Sequence, residues 1–155
     1  MNFFFIFLNI FFLTNSFAQD AKDFTLRDQN GAFFNLKESS TKNYGFIGLI
    51  FFQTTCAPCV QELVQLKNSY QNHQSVLFIL VDSKEERSTT YQFLKKHNLS
   101  NFIILNDPYG DLDDIFLIKA VPTIILLNSN RQVVKTFVGN KLSELLSYIE
   151  LKSSE

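Results

Sequence analysis

Apolar and polar residues fall into blocks along the chain, and the spacing inside each block predicts an element. Phe24-Thr25-Leu26 and Phe33-Phe34-Asn35-Leu36 flank Arg27-Asp28-Gln29-Asn30-Gly31. Asn-Gly between apolar runs is a strong reversal signal, so an N-terminal β-hairpin is expected. After a polar connection containing Ser39, Ser40 and Lys42, the run Phe46-Ile47-Gly48-Leu49-Ile50-Phe51-Phe52 is continuously apolar, as a central strand buried on both faces should be. Pro58 suits the first turn of a helix, and Val60, Leu63, Val64, Leu66 and Tyr70 supply its apolar stripe as far as Gln71-Asn72-His73-Gln74.

The same alternation continues. Residues 76–81 read as a second apolar strand. Ser83 followed by Glu86 has the spacing of a capping box opening a helix toward His97. Residues 102–105 form a third strand and 111–116 a short helix. Residues 123–127 turn at Asn128-Ser129-Asn130 into 132–138, an antiparallel hairpin ended by Gly139. Leu142, Leu145, Leu146 and Ile149 recur at helical spacing and close the domain near Lys152. Strands alternating with helices, then a terminal hairpin, predict a single α/β domain: a mixed central sheet with helices on both faces.

Residues 1–18 are of another kind. The first thirteen are nearly all Phe, Ile and Leu, no charge precedes Asp20, and Ser16 and Ala18 stand at the −3 and −1 positions of a cleavage site before Gln19. This reads as a signal peptide, with residues 19–155 as the domain and export to the periplasm as the consequence. A short uncleaved membrane anchor and a buried N-terminal helix are the alternatives, and cleavage is favoured.

Composition narrows the functions. Fourteen basic against fifteen acidic residues give a formal charge of −1, which excludes a surface built for nucleic acid or an anionic membrane. Neither a glycine-rich phosphate loop nor an internal repeat is present. A monomer with no cofactor is expected.

The two cysteines, Cys56 and Cys59, lie two residues apart where the central strand becomes a helix. Orphan N–H groups and the positive end of the helix dipole stabilise a thiolate there, so Cys56 is the expected nucleophile. Cys59, one turn deeper, is placed to attack a mixed disulfide formed at Cys56. As a structural staple the pair gains little, because loop-closure entropy rises with loop length and this loop is very short. No metal site is expected. A zinc site wants four Cys or His ligands, and His73 and His97 lie in polar segments without paired spacing, as solvated surface residues would. Copper is disfavoured, the only Met being residue 1.

With these residues in view the sequence resembles the thioredoxin superfamily, and within it the exported TlpA/ResA-like, AhpC/TSA-related thiol:disulfide oxidoreductases. The match rests on the apolar strand into Cys56-Ala57-Pro58-Cys59, on Glu62, on Leu105-Asn106-Asp107-Pro108-Tyr109-Gly110-Asp111-Leu112, and on Ala120-Val121-Pro122-Thr123 before a strand. It implies a thioredoxin fold carrying an extra strand and helix ahead of a cis-proline. It also implies a cis Val121-Pro122 bond facing the cysteines, with Val121, Pro122, Ala57 and Pro58 forming the substrate surface. Glu62 would be an acidic residue near the sulfurs, able to exchange protons with the deeper thiol. The sequence departs from the pattern at Thr55, where Trp commonly precedes the first Cys, at Ile50, where many thioredoxins carry a buried Asp, and at Val64 in place of a Pro.

The leading expectation is a reductase of disulfides in exported proteins, apocytochromes awaiting haem among them, recharged by a membrane thiol electron donor. The motif alone also admits a disulfide oxidase or isomerase, and a non-catalytic module escorting copper is the binding alternative. A peroxiredoxin would carry Pro and Thr where Leu49 and Gln53 stand.

Overall fold

The computed structural model describes residues 19–38 and 43–154. The signal-peptide expectation for residues 1–18 and the polar connection at 39–42 lie outside the described residues. Among the described residues no helix is long and apolar enough to cross a membrane.

The apolar run Phe46–Phe52 (β4) is the centre of the molecule. It pairs in parallel with Val76–Ser83 (β5) and antiparallel with Thr123–Asn128 (β7). Ile103–Asp107 (β6) extends the sheet beyond β5, and Gln132–Val138 (β8) extends it beyond β7. Gln19–Asp20 (β1) adds an edge pair on β8 that the pattern did not predict, giving the order β1-β8-β7-β4-β5-β6. Three helices intervene, Ala57–Ser69 (α1), Arg87–His97 (α2) and Asp111–Ile115 (α3); a fourth, Leu142–Ser153 (α4), closes the chain.

Side chains alternate across the strands and divide the core into two layers. Ile50, Phe52, Phe78 and Leu80 pack with Leu63 and Leu66 of α1, Phe93 and Leu94 of α2, and Leu142, Leu145 and Ile149 of α4. Ile47, Leu49, Phe51, Ile79 and Val81 pack on the opposite face with Leu112 of α3 and with Phe24, Phe34 and Leu36 of the N-terminal hairpin. The helices therefore occupy both faces unequally, three against one, and the hairpin covers what α3 leaves open. Gly48 is required where the sheet meets the first layer: an added Cβ would lie 2.9 Å from the Phe78 ring.

The hairpin forms as expected, from Thr25–Arg27 (β2) and Phe33–Asn35 (β3). Asp28 Oδ1 accepts from the N–H groups of Asn30 and Ala32, and Gly31 takes a left-handed φ of 86°. Gln29 then caps the edge of the main sheet, donating to Phe102 O at 2.9 Å and accepting from Ile104 N at 3.0 Å. Element ends differ from the sequence expectation, β5 running to Ser83 instead of Val81. The third strand runs to Asp107 instead of Leu105. The Ser83–Glu86 spacing is not a capping box: Ser83 still belongs to β5, paired with Asp107, and its hydroxyl donates to Asp113 Oδ2 at 2.6 Å. Helix α2 opens after Glu86, with no side-chain cap.

Candidate active site

Strand β4 ends at Phe52, and a set of hydrogen bonds fixes the turn that follows. Gln53 Nε2 donates to Ser83 O at 3.2 Å. Thr54 donates from both its backbone N–H and its hydroxyl to the two oxygens of Glu85, each at 2.7 Å. Cys56 N donates to Gln53 O at 3.1 Å, and Cys56 O accepts from Val60 N at 3.1 Å, so Cys56 sits at the cap of α1. Cys56 and Cys59 are joined as a disulfide with Cα atoms 5.2 Å apart. Their environments differ sharply. Cys56 is half-buried, beside exposed Ala57 and Pro58, whereas Cys59 has no exposed surface. Cys59 N–H points at Cys56 Sγ from 3.2 Å, placing a helix N-terminal donor on the outer sulfur.

The second wall comes from the segment leading into β7, the strand paired with β4. The Val121-Pro122 peptide is cis, and Val121 O lies 3.7 Å from Cys56 Sγ. Pro122 is buried and its carbonyl accepts from Gly139 N at 2.8 Å, which ties the loop to the end of β8. Val121 is half-buried and leaves its backbone beside the outer cysteine. Cys56 and Val121, 65 positions apart in sequence, are thus brought together at the site.

Glu62 is wholly buried, on the stripe of α1 that also carries Cys59, Leu63 and Leu66. Its Oε1 accepts from Lys141 N at 2.8 Å, tying α1 to the start of α4, while its Oε2 has no partner among the described residues. Burial raises its pKa above the usual glutamate value, and the backbone N–H groups of Lys141 and Leu142 oppose that rise. Glu62 thus lies in the buried core of the helix packing. Ile50 is fully buried, so β4 offers no carboxylate to Cys59. Of the histidines, both are half-buried, and His97 packs its ring 4.6 Å from that of Phe93.

Sequence reasoning missed the acidic support of the Cys56 turn. Asp82, at the end of β5, has no exposed surface. Its Oδ2 accepts from the Thr90 hydroxyl and, at 3.1 Å, from Asn106 Nδ2. Burial first, then the hydrogen bond and charge of Glu85, push its pKa up to about 8 against the Asn106 bond. Polar Asp82-Ser83 closing an apolar strand was the available signal, and it pointed equally well to a solvated strand end.

A disulfide-linked cysteine pair at a helix cap, one sulfur outward and one buried, beside a cis-proline on this sheet defines a thioredoxin-fold thiol:disulfide oxidoreductase. The chain belongs to the AhpC/TSA family, which it matches over residues 17–136, and is a TlpA/ResA-like member of the thioredoxin superfamily. It is similar to the thiol-disulfide oxidoreductase ResA of Halalkalibacterium halodurans, 30% identical over 96% of this chain and 86% of the relative. The sporulation thiol-disulfide oxidoreductase A of Bacillus subtilis is 32% identical over 71% of this chain and 70% of its own length. In fold it resembles the thiol:disulfide interchange protein DsbE from Chlorobium tepidum, with a TM-score of 0.73 at 23% identity, covering 86% of this chain and 95% of that one.

Proposed function

We propose that the chain reduces disulfides in exported polypeptides, with Cys56 as nucleophile, Cys59 as resolving thiol, and Ala57, Pro58, Val121 and Pro122 as the surface that receives the substrate. The observation that carries this reading is the unequal burial of the two sulfurs beside the Val121 carbonyl. In the reduced chain the Cys56 thiolate attacks one sulfur of a substrate disulfide and expels the other as a thiolate. The Cys59 thiolate then attacks Cys56 Sγ, closing the intramolecular disulfide and releasing the second substrate thiolate, so two electrons leave the chain. An external dithiol restores it; because an exported compartment is oxidising, a membrane thiol donor is the natural source. Residues 1–13, nearly all Phe, Ile and Leu and without charge, followed by Ser16 and Ala18, support export and cleavage before Gln19. Apocytochromes awaiting haem attachment are one substrate class that fits.

The equilibrium potential of the Cys56/Cys59 couple tests the direction. Titrated against thiol buffers, a value near or below the roughly −270 mV of thioredoxin is expected. A value near the roughly −120 mV of a strong disulfide donor would make the chain an oxidase instead.

Glu62, one turn past Cys59 and sealed from solvent, is proposed to take the Cys59 proton during resolution. The Glu62→Gln variant keeps an oxygen for Lys141 N and loses the base. Release of the second substrate thiol is expected to slow by about 10²-fold, the lower end of general-base contributions. In the native chain that step accelerates as pH rises through the elevated Glu62 pKa; in the variant the inflection disappears. Superimposable pH profiles for the two proteins would dismiss the role.

A further inference from the structure

A surface cavity of about 190 Å³ opens beside the cysteine site, lined by Gln53, Ser83, Lys84, Asp113, Lys119 and Val121 among others. Its wall is constructed from buried groups. Ser83 is 2% and Asp113 5% exposed. Asp113 Oδ2 accepts from the Ser83 hydroxyl at 2.6 Å and pairs with Lys84 Nζ at 3.2 Å. Asp113 Oδ1 is buried and has no hydrogen-bond partner among the described residues, so the carboxylate relies on the Lys84 ammonium for compensation. Lys84 is held from below as well. Its backbone N–H donates to Asp107 O at 2.9 Å, and its stem crosses Gly110, where an added Cβ would collide with Lys84 Cε.

The charges leave a remainder. Asp113 is matched by Lys84, and Lys119, exposed at the mouth, has no ion-pair partner among the described residues. The cavity is thus net positive in a chain whose overall formal charge is −1. It also shares Val121 with the redox site, and Val121 O lies 3.7 Å from Cys56 Sγ. A polypeptide joined through its cysteine to Cys56 passes along Val121, and because successive residues of an extended chain alternate sides about every 3.3 Å, a residue flanking that cysteine faces the cavity.

We propose that this cavity is a specificity subsite for an acidic side chain flanking the target cysteine, recognised by Lys119, the charge that the Lys84–Asp113 pair leaves unmatched; the inference rests on the polypeptide-reductase reading above. The test uses the reduced full chain and three synthetic single-cysteine peptides, each supplied as its symmetrical disulfide, carrying Glu, Gln or Lys beside the cysteine. Each rate is divided by the rate of reduction by dithiothreitol, which removes the peptide's intrinsic reactivity. At low ionic strength the Glu peptide is expected to exceed the Lys peptide by about tenfold, with Gln between, because exposed Lys119 attracts the one charge and repels the other. In about 1 M salt the ratio should fall toward one. Lys119→Glu should bring the ratio below one, while Lys96→Glu, on the exposed side of α2, should leave it as it is.

A ratio near one in the native chain overturns the subsite, as does a ratio that Lys119→Glu leaves standing or that Lys96→Glu shifts equally. If no peptide is reduced faster than by dithiothreitol alone, the polypeptide-reductase reading itself fails. The absolute rates therefore judge that reading, and the ratio judges the subsite.

Discussion

Cys56→Ser is expected to remove disulfide exchange altogether, leaving only the rate of the added reductant, while Cys59→Ser keeps the first half of the reaction and stops there. The asymmetry follows from burial. Cys59 has no accessible surface, so no substrate disulfide reaches it, whereas Cys56 is half-buried at the cap of α1. The Cys59 N–H and the neighbouring helix N-terminal donors stabilise negative charge on the outer sulfur, which raises the thiolate fraction there. With Cys59→Ser the mixed disulfide at Cys56 has no internal thiol to resolve it. Mass spectrometry of that variant after one exposure to a peptide disulfide should find the chain carrying one covalently bound peptide, with one equivalent of free thiol released. Adduct formation on the Cys56→Ser chain, with none on Cys59→Ser, would reverse the two roles.

What could be read in the sequence was whatever one segment decides for itself. Seven apolar residues in a row at 46–52 left no reading except a doubly buried strand, and Pro58 beside two cysteines placed the sulfurs at a helix start. Asn30-Gly31 set the hairpin for the same local reason. The errors came where a distant partner decides. Ser83 and Glu86 have capping-box spacing, but β6 pairs with β5 as far as Ser83 and Asp113 claims the hydroxyl. The apolar stripe read from Val60, Leu63, Val64 and Leu66 does not include Glu62, because a carboxylate carries no apolar signal. Docking of α4 shifts the buried face onto Cys59, Glu62, Leu63 and Leu66. The cis bond at Val121-Pro122 was expected only from the family resemblance; a single X-Pro pair in sequence carries no such information. The grip of Glu85 on Thr54 spans 31 positions and had no local signature at all.

Replacing Asp82 by Asn is expected to flatten the pH dependence of stability and to strengthen the fold in alkaline solution. Burial, then Glu85, hold the Asp82 pKa up near about 8, whereas an unfolded aspartate titrates near 3.9. Below about pH 4 both states are protonated and the group costs nothing. Between about 4 and 8 the unfolded chain has released the proton that the folded chain still holds, so ν_U is less than ν_N and stability falls as pH rises. At roughly 1.4 kcal/mol per pH unit over about four units, the loss is on the order of 5 to 6 kcal/mol, and above about pH 8 it levels off. Asparagine suits the site because the Thr90 hydroxyl and Asn106 Nδ2 both donate to one oxygen, Oδ2, which an amide oxygen replaces. The new NH₂ then stands in place of Oδ1, which has no partner among the described residues. Glu62 and Asp107 also have raised pKa values, but both are present in the two proteins, so the difference between their urea-unfolding curves isolates Asp82. Measured on the oxidised chains from pH 4 to 9, that difference should open steadily in favour of Asp82→Asn and then hold constant. A difference independent of pH would mean that Asp82 is already ionised in the fold and that its charge is compensated by the donors around it.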